Sequence, residues 1–145
     1  MKLLSTSFNK ETGESICIFD SEYGRIVGTA QCHPDDEDMK NELTGTTIAS
    51  MRAERKYLQL CKIECKGQLA ALKQLYYSMK HSNNFNPKSY ESKMLFRQIQ
   101  LIENDLITIK QMITINSEQL KKYIDDKDDF YTKLRILRKV RASEV

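Results

Sequence analysis

The feature that most constrains this chain is a run of fourteen positions stepping strictly by four and three residues: Leu95, Ile99, Ile102, Leu106, Ile109, Ile113, Asn116, Leu120, Tyr123, Lys127, Phe130, Leu134, Leu137 and Arg141. Eleven are apolar or aromatic, and no Gly or Pro interrupts them. Such spacing keeps one helical face turned to a partner helix, so the run reads as a coiled-coil seam with polar exceptions at Asn116, Lys127 and Arg141. Asn86-Pro87 supplies an N-cap followed by proline at the first helical position, which predicts a helix over 87–141. At 1.5 Å per residue that helix is roughly 80 Å long, more than a compact domain of this mass needs.

A partner stripe precedes it. Ile48, Met51, Leu58, Cys65, Leu69, Leu72, Tyr76 and Met79 hold helical spacing, with Arg55 and Lys62 as cations in the same stripe. The first helix starts at residue 34, where Pro34 and the acids Asp35, Asp36, Glu37 and Asp38 suit a first turn, or at residue 44, because Thr44-Gly45-Thr46-Thr47 predicts a kink or a fresh start. It ends near Lys80. A loop of roughly six residues makes the two helices antiparallel, with facing residue numbers adding to about 167. This register brings Asp35–Asp38 towards the basic end that begins at Lys133.

Residues 2–32 read as β-structure: runs at Leu3–Phe8, Ile16–Phe19 and Arg25–Cys32, separated by turn chemistry at Asn9–Gly13 and Asp20–Gly24. Only 5 Gly and 2 Pro in 145 residues argue against an all-β sandwich, which needs frequent turns. The expected class is mainly α with a small β element (α+β): a three-stranded antiparallel sheet over 1–33, then a long two-helix hairpin over 34–145, together one module. Ile16-Cys17-Ile18-Phe19 is apolar on both faces, so one face meets helices and the other is free for a second chain. A hairpin this thin leaves apolar helix surface uncovered, which predicts a homo-oligomer, a dimer or a trimer of dimers. No apolar run exceeds four residues, so no membrane span or signal-peptide core is expected and the protein is expected in the cytoplasm. Its four Cys read as reduced thiols there.

Net charge is +3, but the distribution is uneven: 4 basic and 9 acidic groups in residues 1–43, against 7 and 2 in residues 44–86. So small an excess predicts no specific DNA or RNA binding. There is no Gly-rich phosphate loop, nucleophile elbow or metalloprotease pair, and the expectation is no enzyme and no cofactor. His33 lies directly beside Cys32, where adjacent side chains rarely face one another as a catalytic dyad must. Cys61 and Cys65 share a helical face and could join Cys32 and His33 around zinc, but a close pair within a turn is missing and packing is favoured. The acidic run lacks the spacing of a calcium loop. The basic end has three readings: a favourable helix C-terminus, salt bridges to the acids, or an anion site. Interleaving supports the third, since Tyr131 lies four residues from both Lys127 and Arg135, and Arg52 and Arg55 offer a second cationic pair.

Gly28-Thr29-Ala30-Gln31-Cys32-His33-Pro34-Asp35-Asp36-Glu37-Asp38 followed by Ile48-Ala49-Ser50-Met51-Arg52-Ala53 resembles small proteins of phages that infect Gram-positive bacteria. With the β-ribbon and two long helices, the layout is similar to the Thoeris anti-defence sponges. The resemblance covers residues 25–55 and the overall architecture. It implies capture, without degradation, of a cyclic nucleotide messenger of the cyclic ADP-ribose type or a cyclic oligonucleotide, held between subunits by Arg and aromatic side chains. Arg52 follows from the shared stretch; Arg55, Phe85, Tyr131, Arg135 and Arg138 are added on physical grounds. The alternative from a different class is a coiled-coil interaction protein that inhibits or scaffolds a host or phage protein, because helix pairing explains every seam position without a ligand.

Overall fold

The computed structural model describes residues 1–32 and 42–144, and it has the expected class: a three-stranded antiparallel sheet followed by two long helices. The strands are β1 (Lys2–Phe8), β2 (Glu14–Ser21) and β3 (Gly24–Gln31), in the order β1-β2-β3. The helices are α1 (Glu42–Lys80) and α2 (Tyr90–Glu144). The predicted pairing of Asp35–Asp38 with the basic end, and a helix start at residue 34, lie outside the described residues. No helix among the described residues is long and apolar enough to cross a membrane.

The chain divides into two compact units, Met1–Tyr57 with Ile115–Val145, and Leu58–Thr114. In the first, the sheet is formed by local turns. Asn9 Oδ1 accepts from the amides of Glu11 and Thr12, and Gly13 closes the turn with φ 74°. β2 and β3 join through a two-residue loop ending at Gly24, φ 96°. Alternation then sorts the faces: Ser15, Cys17 and Phe19 of β2, opposite Ala30, Gly28 and Ile26 of β3, are buried. Ile16 and Ile18 on the other face are half-buried and Val27 is exposed.

Small residues set how closely α1 approaches that inner face. Ala49 and Ala53 are fully buried, and a Cβ built on Gly28 would meet the Ala49 carbonyl and the Ala53 side chain and amide. One on Gly45 would meet the Ser15 hydroxyl. Gly45, Ala49 and Ala53 recur every four residues, so they form one helical stripe with room for a backbone behind it. The Cys17 thiol donates to the Thr46 carbonyl at 3.4 Å. α1 begins at Glu42, two residues before the start expected at residue 44, and is helical through Thr44–Thr47. The hydroxyls of Thr46 and Thr47 bond back to carbonyls one turn earlier, satisfying groups that favour leaving a helix when unpartnered.

α2 meets α1 at the predicted register. Asn116 Nδ2 donates to the Met51 carbonyl at 3.1 Å within the first unit, and the Cys65 thiol donates to the Ile102 carbonyl at 3.4 Å within the second; both pairs of numbers add to 167. The predicted seam is corrected towards its end. Leu120 is buried, yet Phe130 and Leu137 are exposed, and Tyr131 takes an inward place. An undistorted α-helix drifts about 20° per heptad from a strict seven-residue repeat, so five heptads from Leu95 rotate the face by roughly 100°, one residue. The helix start is corrected too. Asn86 caps only a turn, accepting from the Lys88 amide, while Ser89 Oγ accepts from the Ser92 amide and is the N-cap of α2.

The second unit is the hairpin itself, with Leu58, Cys65, Leu95 and Ile99 buried between its helices. Its loop end is closed by Tyr76, whose ring lies 6.2 Å from Phe85 and 6.1 Å from Phe96. Burial raises the Cys17 thiol above its ordinary range; Cys65 is raised by burial first, then by nearby Asp105, Glu64 and Cys61. Cys17 is 1% exposed and Cys65 7%, whereas Cys32 and Cys61 are half-buried. Iodoacetamide at neutral pH is therefore expected to modify Cys32 and Cys61 quickly and Cys17 and Cys65 only on unfolding. Peptide mass mapping over time checks this, and rapid labelling of Cys17 would contradict the packing of sheet on α1.

Candidate functional site

Within the first unit, the ends of β1 and β3, the first turns of α1 and a late turn of α2 surround a cavity of about 250 Å³. Its apolar walls come from Phe8, Ala30, Ile48 and Ile124, and its polar groups from Gln31, Cys32, Thr44, Arg52, Lys127, Asp128 and Tyr131. Its volume is near the lower bound for small-molecule sites, which combine apolar walls with a few convergent polar groups.

Each polar group is placed by a local feature. Tyr131 owes its position to the one-residue drift of α2, and its hydroxyl lies 2.9 Å from Thr44 Oγ1 on α1. Lys127, one turn earlier, is half-buried, with Nζ 5.5 Å from the Tyr123 ring centre and 5.9 Å from that of Phe130. Those ring faces attract the ammonium group electrostatically. Arg52 is one turn after Ile48 and donates from Nη1 to the Thr29 carbonyl at 2.9 Å. A guanidinium has five N–H donors, so this bond positions Arg52 and leaves capacity for an oxyanion. Asp128 adds one carboxylate against the two cations, so the lining favours an anion of low charge that also carries a hydroxyl or N–H to donate.

Of the residues singled out from the sequence, the cavity brings together Arg52 and Tyr131. Arg55 is exposed on α1, and Arg135 and Arg138 are exposed on α2 beyond the cavity lining. Phe85 belongs to the second unit, packed edge-on against Tyr76. Thr44, Asp128, Gln31 and Phe8 escape the sequence reading as site residues. Lys127 carried two signals there, as a cation where the seam calls for an apolar group and as the cation one turn before Tyr131 in the anion-site reading of the basic end. Among the described residues, no group of three or more His, Cys, Asp or Glu could hold a metal ion. In comparisons with protein-family models, curated proteins and solved structures, nothing matches this chain.

Proposed function

We propose that this protein is a phage anti-defence protein that captures a cyclic nucleotide messenger, of the cyclic ADP-ribose type or a cyclic oligonucleotide, and withholds it without degrading it. One observation carries the reading: Arg52 and Tyr131, selected separately from the sequence as phosphate and base contacts, line one cavity together with Lys127. Arg52 and Lys127 offer charge-assisted bonds to a phosphate, and the Phe8, Ile48 and Tyr131 side chains offer apolar surface to a base. Asp128 can accept from a ribose hydroxyl or a base N–H.

The test uses location as well as binding. A messenger seated here stabilises the protein thermally, by mass action on the folded state, and shields Cys32 from alkylation while leaving Cys61 reactive. Screening cyclic ADP-ribose isomers and cyclic di- and trinucleotides is expected to give one compound with both effects. Stabilisation without protection of Cys32 would place the ligand elsewhere.

The second reading, a coiled-coil interaction protein, is favoured by a different observation. Ile63, Leu75 and Tyr77 on α1 and Leu101, Ile107 and Met112 on α2 are all about half exposed or more, apolar surface that a partner helix could cover. Under that reading no compound in the panel stabilises the protein.

A further inference from the structure

The two edges of the sheet are finished differently. On β3, the hydrogen-bond phase set by the Ser21–Gly24 pair turns the carbonyls of Val27 and Thr29 away from β2. These are the carbonyls that accept from Lys56 Nζ at 2.6 Å and from Arg52 Nη1 at 2.9 Å. Two cations one turn apart on α1 thus occupy the β3 edge, a device that stops further strands from adding.

β1 has no such cover among the described residues. Lys2 to Ser7 are all exposed, Leu3 at 51% and Leu4 at 46%, and Lys2 is the strand's one charge. The Asn9 amide donates to the Glu14 carbonyl at 2.8 Å, which makes Ser7 and Ser5 the residues bonded to Ile16 and Ile18. Alternation leaves the N–H and C=O of Thr6 and Phe8 on the open side. Towards the N-terminus a register shift between Leu3 and Ser5 ends the regular ladder. The free groups therefore flank Ser7 symmetrically, an arrangement complementary to itself.

We propose that a second copy of this chain occupies the β1 edge, its β1 antiparallel to this one about a two-fold axis at Ser7, so that Thr6 of each copy pairs with Phe8 of the other. Four backbone hydrogen bonds close the junction and the two sheets become one of six strands. Charge favours this alignment: antiparallel strands hold the two Lys2 ammoniums at opposite ends, whereas parallel ones set them side by side. Two-fold closure also consumes both open edges, so the assembly stops.

The proposal predicts a close contact at one residue. Ser7 faces Ser7 as a non-hydrogen-bonded pair, with Cα atoms about 4.5 Å apart, within disulfide range. In a Cys32→Ser, Cys61→Ser background, Ser7→Cys is expected to convert most of the protein to a disulfide-linked dimer under mild oxidation; Gln31→Cys at the end of β3 is the control and stays uncrosslinked. Thr6→Pro removes an N–H from the open side and no bond within the chain, so light scattering is expected to show the particle mass halved with helical circular dichroism unchanged. Cross-linking of Ser7→Cys no greater than the Gln31→Cys control, or an unchanged mass for a folded Thr6→Pro variant, overturns the proposal.

Discussion

Replacing Gly28 by Val is expected to cost about 3 kcal/mol or more, the upper end for overpacking, because the contact it disturbs is made by backbone. A Cβ at Gly28 would lie 2.8 Å from the Ala53 Cβ and amide nitrogen and closer still to the Ala49 carbonyl oxygen. None of these can swing aside as a long side chain would, so the sheet must separate from α1. Gly67 gives the opposite expectation. It sits exposed in the middle of α1 with nothing within 4 Å of an added Cβ, so Gly67→Ala should gain about 1 kcal/mol from helix propensity alone. Urea unfolding followed by circular dichroism reads both. A wild-type midpoint for Gly28→Val would mean that β3 does not rest on Ala49 and Ala53.

Asn116→Asp is expected to be comparably damaging at neutral pH and far less so in acid. Asn116 is 3% exposed, its amide donates to the Met51 carbonyl, and its Oδ1 has no hydrogen-bond partner. An ionised Asp has nothing to donate and buries an unpaired charge beside a carbonyl oxygen, at a cost of about 3 kcal/mol or more. Protonated, it can donate as Asn116 does. The folded carboxyl is thus held protonated above its unfolded pKa of about 3.9, the folded state binds more protons, and stability is kept below that pH and falls as pH rises. Asn116→Leu should be nearly neutral or stabilising, since it removes the lone acceptor together with the donor. Unfolding midpoints of the three proteins at pH 3.5 and pH 7 check this. Equal midpoints for Asp and wild type at pH 7 would place residue 116 in solvent.

What was legible in the sequence follows from which interactions are local. Seam spacing and loop length set the helix pairing, and the Met51–Asn116 and Cys65–Ile102 bonds lie at the predicted register. Strand boundaries followed from Gly13, Gly24 and alternation. The slow loss of heptad phase along α2 was hidden, because a sequence written with a strict seven-residue repeat does not say whether its helix supercoils to follow. That drift exchanges Phe130 for Tyr131 at the inward face, so the places of Ile124, Asp128 and Tyr131 in the cavity wall do not follow from the heptad spacing. Ala49 and Ala53 were visible only as part of a family-like stretch. Their physical role is to let β3 approach, which explains the Ala residues of that stretch without a ligand and leaves Arg52 as its functional candidate.

Capture followed by release reads the cavity's ligand itself. The protein is incubated with the stabilising messenger, washed, heated to denature it, and the supernatant analysed by mass spectrometry. The account predicts intact messenger recovered from the wild type, and recovery lowered by one to two orders of magnitude for Arg52→Ala, the loss expected when a charge-assisted bond of roughly 1.5 to 3 kcal/mol is removed from a fold that survives the change. Tyr131→Ala should fall similarly, and Arg97→Ala, on exposed α2 in the second unit, should match the wild type. Undiminished capture by a folded Arg52→Ala, Tyr131→Ala double variant, or no messenger retained by the wild type across the panel, would contradict it.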